Sequence, residues 1–384
     1  MSSYHSSVEL PLPDPAQIEH SSRLVERIVT RIGQAGGVLS FSDYMQACLY
    51  EPGLGYYAAG SIKFGRDGDF VTAPELSPLF ARCIANHAAD LFDDGLARSI
   101  LEFGAGTGKL AGDLMLRLEQ SGRALDAYLI LEPSPDLQNR QRAHLAEVLT
   151  DEQMRRVQWL ERLPSDFDGL VLGNEVLDAM PVSVVIKQGD WIELGVAFDG
   201  QRFVWRELTR DSAAVERIRA IAAGQALDDD YCTEVNLNYA PWFQALAECC
   251  GRARMLLIDY GYEQAQYYHA ARSSGTLMCF YQHRAHPDPL IYPGLQDITA
   301  FVDFGAVADA ASAAGWRSDS LVSQADFLLR NGLLELVAAE QGDDVSRQLA
   351  LAQQVKTLTL PGEMGEKFKV LSLHTGRLDD SSDR

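Results

Sequence analysis

A glycine-rich run at residues 99–110, SILEFGAGTGKL, constrains the fold of this chain more than any other part of its sequence. A short apolar segment leads into Gly104, Gly106 and Gly108, and the pattern of an amphipathic helix follows. Glycine lets the backbone turn sharply and lets a ligand approach it closely, and the start of a helix offers N–H groups without intrahelical partners. The run therefore predicts a ligand site at the end of a β-strand.

The spacing of these glycines separates the loop from two common phosphate-binding loops. The dinucleotide-binding fingerprint G-x-G-x-x-G would need a glycine at position 109, where this chain has Lys109. The phosphate loop of nucleoside triphosphatases needs Ser or Thr after Gly-Lys, and here Leu110 follows. The spacing thus argues against a nicotinamide-dependent oxidoreductase, and an NAD-binding assay would test this conclusion. The residues present instead form the pattern E-x-G-x-G-x-G.

Acidic residues end two further strand-like segments. Glu132 follows the apolar run YLIL, where a carboxylate can accept hydrogen bonds from both hydroxyls of a ribose. The segment GLVLGNEVLDAMPV at 169–182 brings Asn174, Glu175 and Asp178 to the end of another strand, the edge at which open α/β sheets bind ligands. If a helical turn begins there, Glu175 and Asp178 share one face and could hold a cationic group. Alternatively, acidic residues at a helix N-terminus stabilise the helix through its dipole, and this would explain both acids without a ligand.

Strand-like and helix-like segments alternate from residue 99 onward, which predicts an α/β fold with a parallel sheet covered by helices on both faces. At 182–208 three strand-like runs separated by Gly-containing turns predict an inserted antiparallel β-meander. Apolar strand-like runs lie at 100–103, 127–131, 157–160, 170–172 and 255–259, and later strand candidates are 276–281, 318–322 and 369–373.

The pattern divides the chain into four regions. They are an N-terminal arm with a lid or substrate region (1–95), the first half of the cofactor-binding core (96–181), the inserted meander with a helical segment (182–250), and the remainder of the α/β core with substrate-side loops (251–384). Within the first region, proline-rich residues 1–16 predict a loose arm, a helix follows, and 41–73 reads as turns and short elements.

Composition restricts the partners. The chain has 54 acidic and 33 basic residues and a formal net charge of −21. This charge disfavours binding to nucleic acid and to anionic membranes and suits a cationic partner, although it could serve solubility alone.

No run approaches the roughly 20 apolar residues of a membrane helix, and no secretory or transit pattern is evident. Six scattered cysteines without metal-ligand spacing predict buried thiols and no metal site. We expect a cytoplasmic protein.

Several motifs, in matching order over residues 20–375, resemble the MidA family of class I S-adenosylmethionine-dependent methyltransferases, which is related to a mitochondrial complex I assembly factor that methylates arginine. Besides the glycine run, they are YEPGLGYYAAG at 50–60, GDFVTAPELSPLF at 68–80, NEVLDAMPV at 174–182, LIDYGY at 257–262, and GTLMCFYQHRAHPDPL with DITAFVDF at 275–304. The resemblance implies a Rossmann-like sheet of seven strands, S-adenosyl-L-methionine as the cofactor, and a bacterial cytoplasmic relative.

The resemblance also implies roles for individual residues. The cofactor-binding residues would be Glu102, Gly104, Ala105, Gly106, Thr107, Gly108, Glu132, Pro133 and Asn174. Glu175, Asp178 and Glu75 are the catalytic candidates, which would orient an acceptor guanidinium and provide a route for its proton, while Asp69 and Thr72 would help to close the site. The favoured acceptor is an arginine of a protein partner.

Alternatives remain open at this level. A non-catalytic assembly chaperone or scaffold that retains a methyltransferase fold would carry the same cofactor motifs. His283 and His286 could act as bases, and Tyr260 and Tyr262 could line an acceptor channel, or all four could be structural. The meander could form the face of a homodimer, a platform for a partner, or a lid.

Overall fold

The structure, a computed structural model, describes residues 10–59, 72–340 and 344–375. Its helices are α1 Pro15–Gln34, α2 Phe41–Tyr50, α3 Ala73–Leu76, α4 Pro78–Asp93, α5 Lys109–Gln120, α6 Pro135–Val148, α7 Asp151–Met154, α8 Ala213–Ile221, α9 Tyr239–Cys249, α10 Gln264–Tyr267, α11 Phe304–Ala313, α12 Gln324–Arg330, α13 Leu333–Glu340 and α14 Val345–Thr359. None of the helices in these ranges has both the length and the apolar character needed to cross a lipid bilayer.

The strands run from one end of the described chain to the other. They are β1 Leu39–Ser40, β2 Ser99–Phe103, β3 Ala127–Leu131, β4 Val157–Leu160, β5 Phe167–Asn174, β6 Ser183–Gln188, β7 Asp190–Phe198, β8 Phe203–Thr209, β9 Cys232–Val235, β10 Cys250–Tyr262, β11 Met278–Tyr281, β12 Arg284–His286, β13 Asp297–Thr299, β14 Val302–Asp303, β15 Trp316–Ser323 and β16 Phe368–Thr375.

The chain forms two compact units, and each is assembled from three separate segments. The first unit takes in the described residues of Met1–Phe70, Asp178–Asn238 and Glu263–Asp303, and the second those of Val71–Leu177, Tyr239–Tyr262 and Phe304–Arg384. The four regions expected from the sequence are contiguous stretches, whereas these units alternate along the chain. The difference arises because strands and helices distant in sequence pack against one another.

The second unit is built on a mixed sheet, so the predicted α/β class is confirmed. Its strands run in the order β15-β16-β10-β5-β2-β3-β4, and the pairs from β10 to β4 are parallel. The expectation of a wholly parallel sheet is wrong, because β16 lies antiparallel to both β10 and β15. An apolar strand has the same pattern in either direction, so the sequence alone does not reveal this reversal.

Helices α4 and α5 cover this sheet through their apolar faces. Fully buried Ile100 and Ile130 of the sheet belong to the same core as Ile84 of α4 and Leu114 of α5. Burial of one such side chain contributes roughly 1.5–3 kcal/mol. This packing fixes the strand ends from which the site residues project.

The first unit contains a smaller antiparallel sheet. Strands β6, β7 and β8 pair in succession within the stretch 182–208, and β9 and β1 add to β6 and β7. The structure corrects two predictions for the N-terminal region in part. Residues 10–14 are non-helical and 51–59 form turns as expected, while 1–9 and 60–71 lie outside the described residues. Helix α1 begins at Pro15 because Asp14 and Gln17 form a capping box there, and 41–50 forms helix α2, whose buried Phe41 and Tyr44 anchor it in the core.

Candidate functional site

The glycine loop connects β2 to α5 at the carboxyl edge of the parallel strands of the second unit. Gly104, Gly106 and Gly108 have φ values of 62°, 54° and 86°, a region that side chains other than glycine rarely adopt. The Gly108 N–H donates to the carbonyl of Ala105 at 2.7 Å, which closes the loop, and Gly108 is the N-cap of α5. The loop therefore presents main chain and the start of a helix at the edge of the sheet.

Gly106 faces open space. A Cβ atom built on it would meet no heavy atom of the described residues within 4 Å, whereas one on Gly108 would lie 3.4 Å from the Cα of Gln141. Space would admit a Cβ at Gly108, so its φ of 86° is what favours glycine there, and Gly106 leaves room for a ligand to contact the main chain. Thr107, next to it, donates from Oγ1 to Oε1 of Glu75.

Glu132 lies directly after β3, one strand along from the loop. Only 5% of the residue is exposed, and its carboxylate accepts the Ser134 N–H at 2.9 Å and the side-chain amide of Gln141 at 3.3 Å. Burial raises the pKa of Glu132, and these two hydrogen bonds oppose the rise. Pro133 is exposed in the short turn that leads into α6.

Gln141 is the residue of this edge that the sequence analysis missed. It is fully buried on α6, and its Nε2 donates to the Gly106 carbonyl at 3.1 Å and to Glu132 Oε2 at 3.3 Å. Its Oε1 accepts the indole N–H of Trp159, on β4, at 2.9 Å. One side chain therefore joins the glycine loop, the acid after β3 and strand β4.

Glu102 lies deeper than its predicted role in cofactor binding suggests. It is 2% exposed within β2, and the Tyr128 hydroxyl donates to its Oε2 at 2.8 Å. Burial raises the pKa of Glu102 to about 8, and the hydrogen bond from Tyr128 opposes this rise. The side chain is therefore a neutral acid at pH 7, packed beneath the glycine loop.

Asn174 and Glu175 lie at the end of β5, aligned with the loop by the register of the sheet. Gly173 pairs with Phe103 of β2, and Asn174 pairs with Ile258 of β10. The Asn174 amide donates to Glu175 Oε1 at 3.2 Å, while its buried Oδ1 has no hydrogen-bond partner among the described residues. Such an atom is available to a ligand donor.

Glu175 adopts a strained backbone conformation, with a φ of 53°. No helix begins after Asn174, so the condition under which Glu175 and Asp178 would share one helical face is not met. Instead the Glu175 N–H donates to the Ile258 carbonyl at 2.9 Å, and the Leu177 N–H donates to Asp259 at 2.9 Å. Bonds to the end of β10 replace the intrahelical bonds and hold the chain in a tight turn.

The remaining catalytic candidates occupy different places. Glu75, on α3, contacts Thr107 of the glycine loop, and Thr72 is the N-cap of α3. Asp69 lies outside the described residues. Asp178 belongs to the first unit, where it is 4% exposed and its backbone carbonyl accepts the Ala300 N–H at 3.0 Å.

The histidines and tyrosines singled out in the sequence have mostly structural surroundings. His283 is exposed in the turn between β11 and β12, and His286 is buried on β12, where burial lowers its pKa. Tyr260 packs edge-on against Phe368, with ring centroids 5.4 Å apart. Tyr262 is half-buried at the end of β10. Across residues 10–59, 72–340 and 344–375, no group of His, Cys, Asp and Glu side chains has the arrangement of a metal site.

Comparisons with known proteins place this geometry in a family. A family model described as "Putative S-adenosyl-L-methionine-dependent methyltransferase" matches residues 81–322. The "Protein arginine methyltransferase NDUFAF7 homolog, mitochondrial" of Drosophila melanogaster is 29% identical, with 89% of this chain and 83% of the relative covered. The corresponding Xenopus laevis protein is 28% identical, with 94% of this chain and 86% of the relative covered.

Two crystal structures from Burkholderia thailandensis resemble the whole chain. One, described as a "likely methyl transferase" bound to S-adenosyl-homocysteine, is 43% identical, covers 96% of both chains and has a TM-score of 0.91. The other, a native structure, is 42% identical with the same coverage and has a TM-score of 0.88. The bound molecule of the first is the demethylated product of S-adenosylmethionine.

Proposed function

Because the chain belongs to a family of S-adenosyl-L-methionine-dependent methyltransferases, we propose that it methylates an arginine side chain of a partner protein. Its cofactor is S-adenosyl-L-methionine. We place the adenosine against Glu132 and the methionine portion along the loop from Gly104 to Gly108. As part of this proposal, the seven strands along the path β15-β16-β10-β5-β2-β3-β4 are the class I methyltransferase sheet.

The residues present at this edge fit that cofactor. Glu132 offers carboxylate oxygens to the two ribose hydroxyls, and Gly106 leaves the main chain accessible where any side chain would intrude. Asn174 Oδ1 is a buried acceptor without a partner among the described residues. Glu75, bonded to Thr107, puts a further carboxylate beside the glycine loop, where it can meet the positively charged end of the methionine portion. We therefore assign Glu75 to the cofactor side.

The main structural support for arginine as the methyl acceptor is the backbone conformation of Glu175. A side chain held at a φ of 53° stores strain that proteins retain mainly at functional sites. The bond from Asn174 orients its carboxylate at the edge where the cofactor motifs converge. An acid placed there can align the planar guanidinium of an arginine through paired hydrogen bonds.

The bound cofactor supplies an electrophilic methyl group on a sulfonium sulfur. The protein's task is then to position the nucleophile in line with that methyl group. A protonated guanidinium is a poor nucleophile, so Glu175 must orient it and draw its positive charge toward the nitrogens that the carboxylate faces. The nitrogen opposite the methyl group is then the better nucleophile, and the carboxylate takes up the proton that this nitrogen releases on methylation. The buried, neutral Glu102 adds no charge that would compete for the guanidinium.

Two further observations support an arginine-bearing protein as the substrate. The curated relatives from Drosophila melanogaster and Xenopus laevis are named protein arginine methyltransferases. The net charge of −21 gives the protein a surface that attracts cationic segments.

The proposal is tested with S-adenosylmethionine carrying a labelled methyl group. The protein is incubated with a library of arginine-containing peptides and with matched peptides in which lysine replaces arginine, and label transfer is measured together with S-adenosyl-homocysteine. We expect label on arginine peptides alone, and none with Glu175→Gln, whose affinity for S-adenosyl-homocysteine stays close to wild type. Transfer to lysine peptides would reject arginine. Transfer by Glu175→Gln at the wild-type rate would reject the role of Glu175.

Tight cofactor binding without transfer to any peptide or protein in a native lysate would contradict the proposed enzyme activity. That result would instead favour a scaffold that retains the methyltransferase fold. Amino-acid analysis of the labelled product separates monomethylated from dimethylated arginine.

A further inference from the structure

Gln141 makes three hydrogen bonds with the two ends of its amide. The Nε2 atom reaches the Gly106 carbonyl at 3.1 Å and Glu132 Oε2 at 3.3 Å, and Oε1 accepts the Trp159 indole N–H at 2.9 Å. The residue is fully buried, and its bond to Glu132 is buried as well, so solvent does not compete for that bond. An amide offers two donor protons and one acceptor oxygen, which matches these three partners.

The orientation of this amide is fixed by Trp159. An indole N–H can only donate, so the atom facing it must be the amide oxygen. The NH₂ group must then face the Gly106 carbonyl and the Glu132 carboxylate, which only accept. Trp159 is itself covered by the Arg142 guanidinium, 4.4 Å from the ring centroid. The contacts of Arg142 with Trp159 and of Trp159 with Gln141 thus determine that Gln141 presents its NH₂ group to Glu132.

We propose that Gln141 is a positioning residue that locks Glu132 and the glycine loop into the geometry needed by the nucleoside part of the cofactor. Glu132 Oε1 is held by the Ser134 N–H and Oε2 by Gln141, so the carboxylate cannot rotate about its last bond. Each oxygen keeps a further lone pair for a ribose hydroxyl. The bond to the Gly106 carbonyl sets the distance between that carboxylate and the loop.

Gln138 provides a matched control on the same helix. It is 9% exposed, and its Nε2 donates to the backbone carbonyl of Glu132 at 2.7 Å rather than to the carboxylate. Replacing Gln138 or Gln141 by leucine removes a buried amide of the same size from α6. Only the change at Gln141 removes a donor from the Glu132 carboxylate and from the loop.

The direction of the pH effect follows from the groups around Glu132. Burial raises its pKa, and the Ser134 N–H and the Gln141 amide lower it, so Gln141→Leu raises the pKa further. Hydrogen bonding to two ribose hydroxyls is strongest for the ionised carboxylate, so affinity falls as the pH drops through this pKa. Gln141→Glu instead places a second carboxyl group beside that of Glu132. At low pH the two groups share one proton, which replaces the amide donor, and at high pH this proton is lost.

The experiment is calorimetric titration with S-adenosyl-homocysteine from about pH 5.5 to about pH 9, a range above the ordinary carboxyl pKa of about 4.3, because burial raises the pKa of Glu132. Each variant is also tested for its melting temperature. At neutral pH we expect Gln141→Leu to weaken binding by about tenfold, equivalent to about 1.4 kcal/mol. The weakening should grow toward low pH for Gln141→Leu and toward high pH for Gln141→Glu.

Opposite pH trends in the two Gln141 variants, with a wild-type pH profile for Gln138→Leu, would support the proposal. If the Gln141 variants lose only thermal stability and keep the wild-type affinity and pH profile, the residue is a packing residue and the proposal fails. If Gln141→Leu does not fold, the pH dependence of S-adenosyl-homocysteine binding by the nearly isosteric Gln141→Glu decides between these outcomes. These results concern cofactor geometry, so they are independent of whether arginine is the acceptor.

Discussion

The carboxylate of Asp259 accepts the backbone N–H of Leu177 at 2.9 Å, and its other oxygen accepts the N–H of Tyr260 at 2.9 Å. Asp259 is 1% exposed at the end of β10. It therefore holds the turn that follows β5, and with it the position of Glu175, without being one of the residues that would touch a substrate.

We predict that Asp259→Ala destabilises the protein by about 1–3 kcal/mol, because two buried N–H groups lose their acceptor. Urea unfolding measures the loss. Asp199→Ala is the control, since Asp199 also accepts two backbone N–H groups, from Gln201 and Arg202, but in an exposed turn. We expect it to cost less than about 0.5 kcal/mol. Equal losses for the two variants would show that burial of Asp259 does not determine its contribution.

Replacing Glu175 by glycine should separate stability from activity. Glycine adopts a φ of 53° without the steric cost paid by glutamate, so Glu175→Gly should be at least as stable as the wild type. Glu175→Val should lose about 1–3 kcal/mol because a β-branched residue is strained there. Both variants should lose methyl transfer. A marked loss of stability in Glu175→Gly would mean that contacts of the carboxylate outweigh the strain.

Gly106→Val should abolish cofactor binding while the protein stays folded. A Cβ atom at this position meets no neighbouring atom within 4 Å, and the valine side chain would project into the open space in front of the loop. Gly122→Val is the matched control, because Gly122 also has a positive φ, 75°, and open space around it, but lies after α5. Both should lose about 1–3 kcal/mol from strain. Calorimetric titration with S-adenosylmethionine should show binding by Gly122→Val alone, and retained binding by Gly106→Val would contradict the placement of the cofactor.

Glu102 should make stability depend on pH. Its folded-state pKa of about 8 exceeds the ordinary value of 4.5, so its contribution to stability is full below about pH 4.5 and is lost as the pH rises toward about 8. The slope is about 1.4 kcal/mol per pH unit within this window. Glu102→Gln keeps an acceptor for Tyr128 and stays neutral, so its stability relative to wild type should increase across the window. Parallel unfolding curves from pH 5 to pH 8 would refute the assignment.

The cofactor motifs could be predicted because their information is local. The apolar strand, the glycines at 104, 106 and 108 and the following helix lie within one short run, and the structure places β2 and α5 on either side of the loop. The strand before Glu132 was predicted with the bounds that β3 has, because its apolar run is flanked by clear loop residues. The identity of the cofactor came from the family motifs rather than from periodicity.

Gln141 could not be predicted as readily, because its partners lie 35 and 18 residues away on a loop and on β4. A signal was nevertheless present, since Leu137, Gln141 and Leu145 recur every four residues and share the buried face of α6. The sequence left open whether a helical turn follows β5, for a similar reason. Acids spaced three apart fit a helix, but the tertiary bonds from Asp259 and Ile258 override that preference.

The position of β16 has a consequence for how the protein is made. Phe368–Thr375 is the last strand of the described chain, yet it lies between β10 and β15 and pairs with both. Until the ribosome has released this stretch, β10 carries an open edge and β15 lacks its partner in the sheet. Open edges invite pairing with other chains. The sheet of the second unit thus closes only after residues 368–375 have left the ribosome, and a chain that lacks them would present an edge of β10 to other chains.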